Sequence, residues 1–210
     1  MSTFEFDSSF LAFVAHADWV PQLDNGVAVL ANQSGRGEIR YSVFTDDAGH
    51  FTIARVERSA DPVTEAFSSD RQAVHRFLAA EIGGSMRDRS DYLLLWSTDP
   101  SRRAPQTGYR LQPLDDTSWF TLVAPDGDVL PIRLWEADAI RYSYVAHASL
   151  EDLYASFRHP EGQPSLHDAW LRWRVRRLGR VGAHGQRRMS SGLIFTFTRR
   201  PAAMNTEIAT

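Results

Sequence analysis

Four pairs of carboxylates are the residues of this chain most able to do chemistry: Asp46-Asp47, Asp115-Asp116, Asp126 with Asp128, and Glu151-Asp152. Two carboxyls held in a cleft with their pKa values pushed apart can act as general acid and base, so a carboxylate-dependent hydrolase is one reading. The plainer reading is that most of these acids are solvated turn residues. A third gathers several turns on one face as an acidic patch for a basic protein surface. Other chemistries fare worse. The seven histidines (His16, His50, His75, His147, His159, His167, His184) form no His-x-His, no His-x-x-x-His and no His-Glu-x-x-His. With no cysteine in the chain, neither a metal centre nor thiol chemistry is expected. Gly83-Gly84-Ser85 lacks the flanks of a nucleophile elbow and reads as a helix C-cap. Gly179, Gly182 and Gly185 lack the spacing of a phosphate loop and read as a linker.

All 23 basic residues are arginine. Without lysine there is no P-loop phosphate grip and no Schiff base. The charge is also divided. Residues 1–170 carry 14 Arg against 25 acids, a net charge of −11, whereas residues 171–210 carry 9 Arg against Glu207 alone, a net charge of +8. An acidic body repels nucleic acid and membrane surfaces and attracts basic partners. The Arg172, Arg174, Arg176, Arg177 and Arg180 run, interleaved with Trp170 and Trp173, has the composition of a nucleic-acid strip. Docking of that run on the acidic body of its own chain is the preferred account, because the body would repel phosphates. No apolar run approaches the ~20 residues of a membrane helix. The acidic N-terminus is unlike a signal peptide, so a cytoplasmic product is expected.

These residues need elements to position them. Asp7 or Ser8 caps a first helix through Phe10, Leu11, Val14 and Ala17, which Trp19 and Pro21 end. Strands are expected at Val27–Leu30, Glu38–Thr45, Phe51–Glu57 and Val63–Phe67, with a hairpin turn at Asp46–Gly49. A helix from Asp70 carries Val74, Phe77, Leu78 and Ile82 and stops at Gly83-Gly84. Leu93–Trp96 is a buried stretch and Pro100–Thr107 a connector. Strands resume at Tyr109–Leu114, Ser118–Val123, Val129–Trp135 and Ala139–Val145. Ser149 then caps a helix with Leu150, Leu153, Tyr154 and Phe157 on one face, closed by Pro160. Trp170–Leu178 fits helix or strand, Gly192–Thr198 fits a strand, and the last ten residues fit a disordered end. The Asp46-Asp47…Phe51-Thr52-Ile53 string recurs as Asp115-Asp116…Phe120-Thr121-Leu122. The expected fold is α+β: antiparallel meanders with packed helices, open to a reading as two duplicated strand-strand-strand-helix halves at 19–90 and 108–160. They would share one domain over 1–166, followed by a basic extension over 167–210.

Two strings carry a family resemblance. Ser149-Leu-Glu-Asp-Leu-Tyr-Ala-Ser-Phe-Arg-His-Pro-Glu-Gly-Gln-Pro164 resembles the helix and the Asp-or-His-Pro-acid-Gly-x-Pro segment of the immunity protein 61 family. Phe77-Leu78 through Ile82-Gly83-Gly84-Ser85-Met86-Arg87-Asp88-Arg89 is similar to that family's helix ending in Gly-x-x-x-Arg-x-Arg, and Gly37-Glu38-Ile39-Arg40-Tyr41 fits a strand start. The family includes actinobacterial antitoxins that neutralise a secreted NAD-hydrolysing toxin. The resemblance therefore implies a non-enzymatic immunity protein, without cofactor, that occludes a toxin's active site as a monomer in a 1:1 complex. For that role the candidate contact residues are Asp46, Asp47, Asp115, Asp116, Asp126 and Asp128, with Trp119 and Trp135 as aromatic anchors.

Overall fold

Two-residue alternation in the sequence becomes one antiparallel sheet in the computed structural model, which describes residues 3–33, 38–58, 60–90, 92, 104–114 and 118–166. The chain runs α1 (Ser8–His16), β1 (Trp19–Asp24), β2 (Val27–Asn32), β3 (Ile39–Thr45), β4 (Phe51–Glu57), β5 (Val63–Ser68) and α2 (Arg71–Arg89). It continues through β6 (Arg110–Pro113), β7 (Trp119–Val123), β8 (Ile132–Trp135), α3 (Glu136–Ser143) and α4 (Leu150–Arg158). The eight strands lie in the order β1-β2-β3-β4-β5-β8-β7-β6. After α2 the chain reappears at the far edge and works inward until β8 pairs antiparallel with β5. This is the expected α+β fold.

Register assigns the two faces. Val43, Ile53, Ala66 and Leu134 lie opposite one another on successive strands and are buried. They join Phe10, Phe13, Leu78, Tyr142, Leu153 and Phe157 in one core, so all four helices pack on that face. The intervening Phe44, Thr52, Phe67 and Arg133 form a row on the other face. Helix starts follow the capping chemistry read from sequence. Asp7 Oδ1 accepts from Phe10 N–H at 2.7 Å, and Ser149 Oγ from Asp152 N–H at 3.0 Å.

Four elements differ from expectation. Trp19 and Pro21 do not merely end α1; they belong to β1, which follows Asp18 at φ 64°. Proline is tolerated there because β1 is an edge strand, where its missing N–H faces no partner. Residues 139–145 are not a strand: Ala139, Ile140, Tyr142 and Ser143 form the buried side of α3, and Asp138 pairs with Arg141 one turn on. β8 begins only at Ile132, with Val129 making an isolated bridge to Val123. The last is α2, which runs through Gly83-Gly84 to Arg89, so Ser85 lies inside a helix. A Cβ on Gly83 would meet the Phe157 ring at 2.4 Å; glycine is there to let α4 approach, not to stop the helix.

The strings at Gly83–Arg89 and Ser149–Pro164 therefore meet in space. Arg87, fully buried, donates to the backbone oxygens of Ser156, Phe157, His159 and Pro160, satisfying carbonyls that the end of α4 leaves free. Arg89 reaches Asp18 Oδ2 at 3.1 Å and the Ala17 carbonyl, pinning the α1–β1 corner to α2. The expected stretch at Leu93–Trp96, the connector as far as Arg103, Asp115-Asp116 and everything from His167 onward lie outside the described residues.

Candidate functional site

Strand register carries three acidic turns to one end of the sheet. Ala28 opposite Val43 places the Asp24-Asn25-Gly26 turn beside the end of β3, and Thr45 opposite Phe51 places Asp46 and Asp47 next to it. Ser68 opposite Ile132 brings the β7–β8 loop, with Asp126 and Asp128, to the same end. Asp70 caps α2 there as well, its Oδ1 accepting from Gln72 N–H at 2.9 Å.

These acids are not equivalent. Asp46 Oδ1 accepts from the backbone N–H groups of Ala48 and His50 at 2.9 and 2.8 Å, and Oδ2 lies 3.2 Å from His50 Nδ1. The His50 backbone N–H above all, with these other bonds, holds the Asp46 carboxyl below its ordinary range. Asp126 is similarly committed, accepting from Asp128 N–H at 3.1 Å. Asp47 and Asp128 are exposed. Glu151 and Asp152 occupy the first turn of α4, where they complement its dipole.

A second carboxylate cluster, which the sequence reading did not single out, lies on the helical side. Glu81 is 3.1 Å from Arg141 Nη1 and accepts from Tyr41 Oη at 3.2 Å, while Arg141 also pairs with Asp138. Burial opposes the Arg141 charge, but Glu81 and Asp138 outweigh it and keep the guanidinium protonated. An arginine gripped by two carboxylates and a neighbouring tyrosine suits a tie between α2, α3 and β3. Among the described residues there is no cluster suited to a metal ion.

The aromatic candidates come together on the helix-free face. Trp119 lies opposite Trp135 in register, with ring centroids 4.5 Å apart, and Phe67 meets Trp119 edge-on at 4.9 Å. Trp135 is also structural: its Nε1–H donates to the Thr64 carbonyl at 2.9 Å. Beyond them the sequence reading missed Phe44, Phe67 and Val129, which are 43%, 37% and 58% exposed. Each interrupts an otherwise ordinary strand or loop, and only cross-strand register shows that Phe44 and Phe67 flank Thr52. A groove of about 590 Å³ runs between the β3–β4 turn and the β7–β8 loop, lined by Asp46, His50, Thr52, Phe67, Val129 and Arg133, among others. Exposed aromatic surface rimmed by polar turns is what a protein-docking site requires.

No helix among the described residues is long and apolar enough to cross a membrane. No curated protein gives a significant match to the chain. Among solved structures, Rv3902c from M. tuberculosis is similar in fold, with a TM-score of 0.63 and 18% identity over 79% of this chain and 97% of that one. Residues 13–165 match the family described as immunity protein 61, and this covers α2, α4 and their Gly83–Phe157 and Arg87 contacts. On that match, the chain belongs to the immunity protein 61 family.

Proposed function

We propose that the protein binds a cognate toxin through the acidic end of its sheet and the adjoining helix-free aromatic face, and silences the toxin by covering its active site. The toxin as a protein partner follows from the family. The observation that carries the docking surface is the coincidence of exposed Phe44, Phe67 and Val129 with the Asp46-Asp47 and Asp126–Asp128 turns around one groove. Apolar side chains at the centre supply affinity once water is excluded, while charges at the rim speed encounter and orient it. An interface of about 1,600 Å² would extend over both.

The toxin class that suits this surface is an NAD glycohydrolase. A cleft that binds a dinucleotide must hold two phosphates and is therefore basic, which an acidic plug complements. The protein performs no chemistry of its own in this reading. Its surface carboxylates Asp46 and Asp126 serve their own turns, and Glu81 and Asp138 serve Arg141. Asp115 and Asp116 remain candidate toxin contacts in this proposal.

Co-expression with the cognate toxin domain tests it. The expected result is a 1:1 complex by size exclusion, rescued growth and arrested NAD loss. Phe67→Arg should weaken the complex at least about 30-fold, the behaviour of a buried anchor. Absence of a complex, or full binding by Phe67→Arg, would refute the site.

A further inference from the structure

The groove beside Phe67 carries a charge that the acidic turns do not explain. Among the described residues, three ionisable side chains line it: Asp46, His50 and Arg133. Asp46 is committed to its own hairpin through Ala48 and His50, and His50 rests on Asp46 in return. Arg133 is exposed and, among the described residues, has neither an ion-pair nor a hydrogen-bond partner. It stands opposite Phe67 in register, in the row that continues through Thr52 to Phe44, so its guanidinium shares a face with two exposed phenylalanines.

A partner that covers this row takes Arg133 out of water. A guanidinium desolvated without a counter-charge opposes binding strongly, and an arginine or lysine from the partner would add repulsion. A carboxylate reverses the sign, because its two oxygens match the parallel N–H groups of the guanidinium fork. The apolar walls at Phe67 and Val129 exclude water around such a pair and strengthen it.

We infer that the groove seats an aspartate or glutamate side chain of the toxin, presented beside an apolar residue that packs on Phe67 and Val129. This rests on the reading of the face as the toxin-docking surface. The division of labour is electrostatic. The acidic rim draws in a basic surface, while Arg133 admits a carboxylate within the groove, so that acid sets the docking register and selects the cognate partner.

The test titrates a catalytically inactivated form of the cognate toxin domain against the wild-type protein, Arg133→Gln, Arg133→Glu and Phe67→Arg. Unchanged thermal midpoints show that the variants fold. Arg133→Gln should raise Kd at least about 30-fold and Arg133→Glu further, as for a buried charge pair broken on one side. Changing each toxin Asp and Glu in turn to Lys should yield one variant that restores binding to Arg133→Glu. If both Arg133 variants bind within threefold of wild type while Phe67→Arg fails, the surface stands and the carboxylate is refuted. Tighter binding by Arg133→Glu, or weak binding that no toxin substitution rescues, also overturns it. A wild-type protein that forms no complex overturns the docking surface itself, and this inference with it.

Discussion

His75 shows how one side chain couples the fold to pH. It is 1% exposed, stacks on Phe10 at 4.8 Å and meets Phe4 edge-on at 5.5 Å. Nδ1 lies 3.1 Å from Asp7 Oδ2, the carboxylate that also caps α1, while Nε2 is buried with no hydrogen-bond partner. A neutral ring donating from Nδ1 satisfies this site; a second proton on Nε2 would be a buried donor without an acceptor. Burial pushes the imidazole below its ordinary value, and Arg71 adds to that, although Asp7 and Asp70 pull the other way. Because the folded value is depressed, the unfolded chain takes up the proton first. Stability is therefore at its plateau above the unfolded value of about 6.5 and falls as pH drops from there toward the folded value. The thermal midpoint should decline between about pH 7 and pH 5, and His75→Phe, which keeps the aromatic packing, should flatten that decline. Equal slopes for the two proteins would show that His75 is not the titrating group.

At the scale of elements, the contact between α2 and α4 decides the helical layer. Phe157 is fully buried against Gly83, so a methyl at position 83 must displace either the ring or a helix. Ala is the better helix former by up to about 1 kcal/mol, and overpacking a core costs about 1–3 kcal/mol. Gly83→Ala should therefore destabilise the protein by about 1–2 kcal/mol in urea unfolding. Adding Phe157→Leu should recover part of that loss; strictly additive effects would mean that the two positions do not touch. Gly83-Gly84 illustrates which information local sequence holds. Strands β3 and β4 could be read because alternation reports a half-buried state directly, and β2 because a short apolar run follows a turn. The Gly pair read as a stop because its partner ring lies 74 positions away, beyond any local signal. α3 was misread for a related reason. Ile140, Tyr142 and Val145 suit a strand locally, and the Asp138–Arg141–Glu81 tie that favours the helix depends on α2. The proposed docking face was legible only in part. Trp119 and Trp135 stood out by type, whereas Phe44, Phe67 and Arg133 acquire meaning only when β8 returns to pair with β5.

At the scale of the whole molecule, charge acts over distances that packing cannot reach. Asp46 lines the groove, whereas Asp47, Asp126 and Asp128 sit beside it at the same end of the sheet, with Asp47 and Asp128 exposed there. Charges so placed are mostly solvated in the complex and contribute little to holding it together. They do act on approach, over a Debye length of about 8 Å at physiological salt. The triple variant Asp47→Asn, Asp126→Asn, Asp128→Asn should therefore slow association with the toxin by about tenfold at low salt, with dissociation changed by less than about twofold. Asparagine at position 126 keeps an oxygen for the Asp128 N–H, so the turn itself should survive. Raising the salt to about 0.5 M should bring wild type and variant together, because screening removes the advantage that the substitutions delete. Stopped-flow association at several ionic strengths reads this out. If the variant instead dissociates faster and associates normally, these turns grip the toxin directly, and the acidic end belongs to the buried interface rather than to its approach.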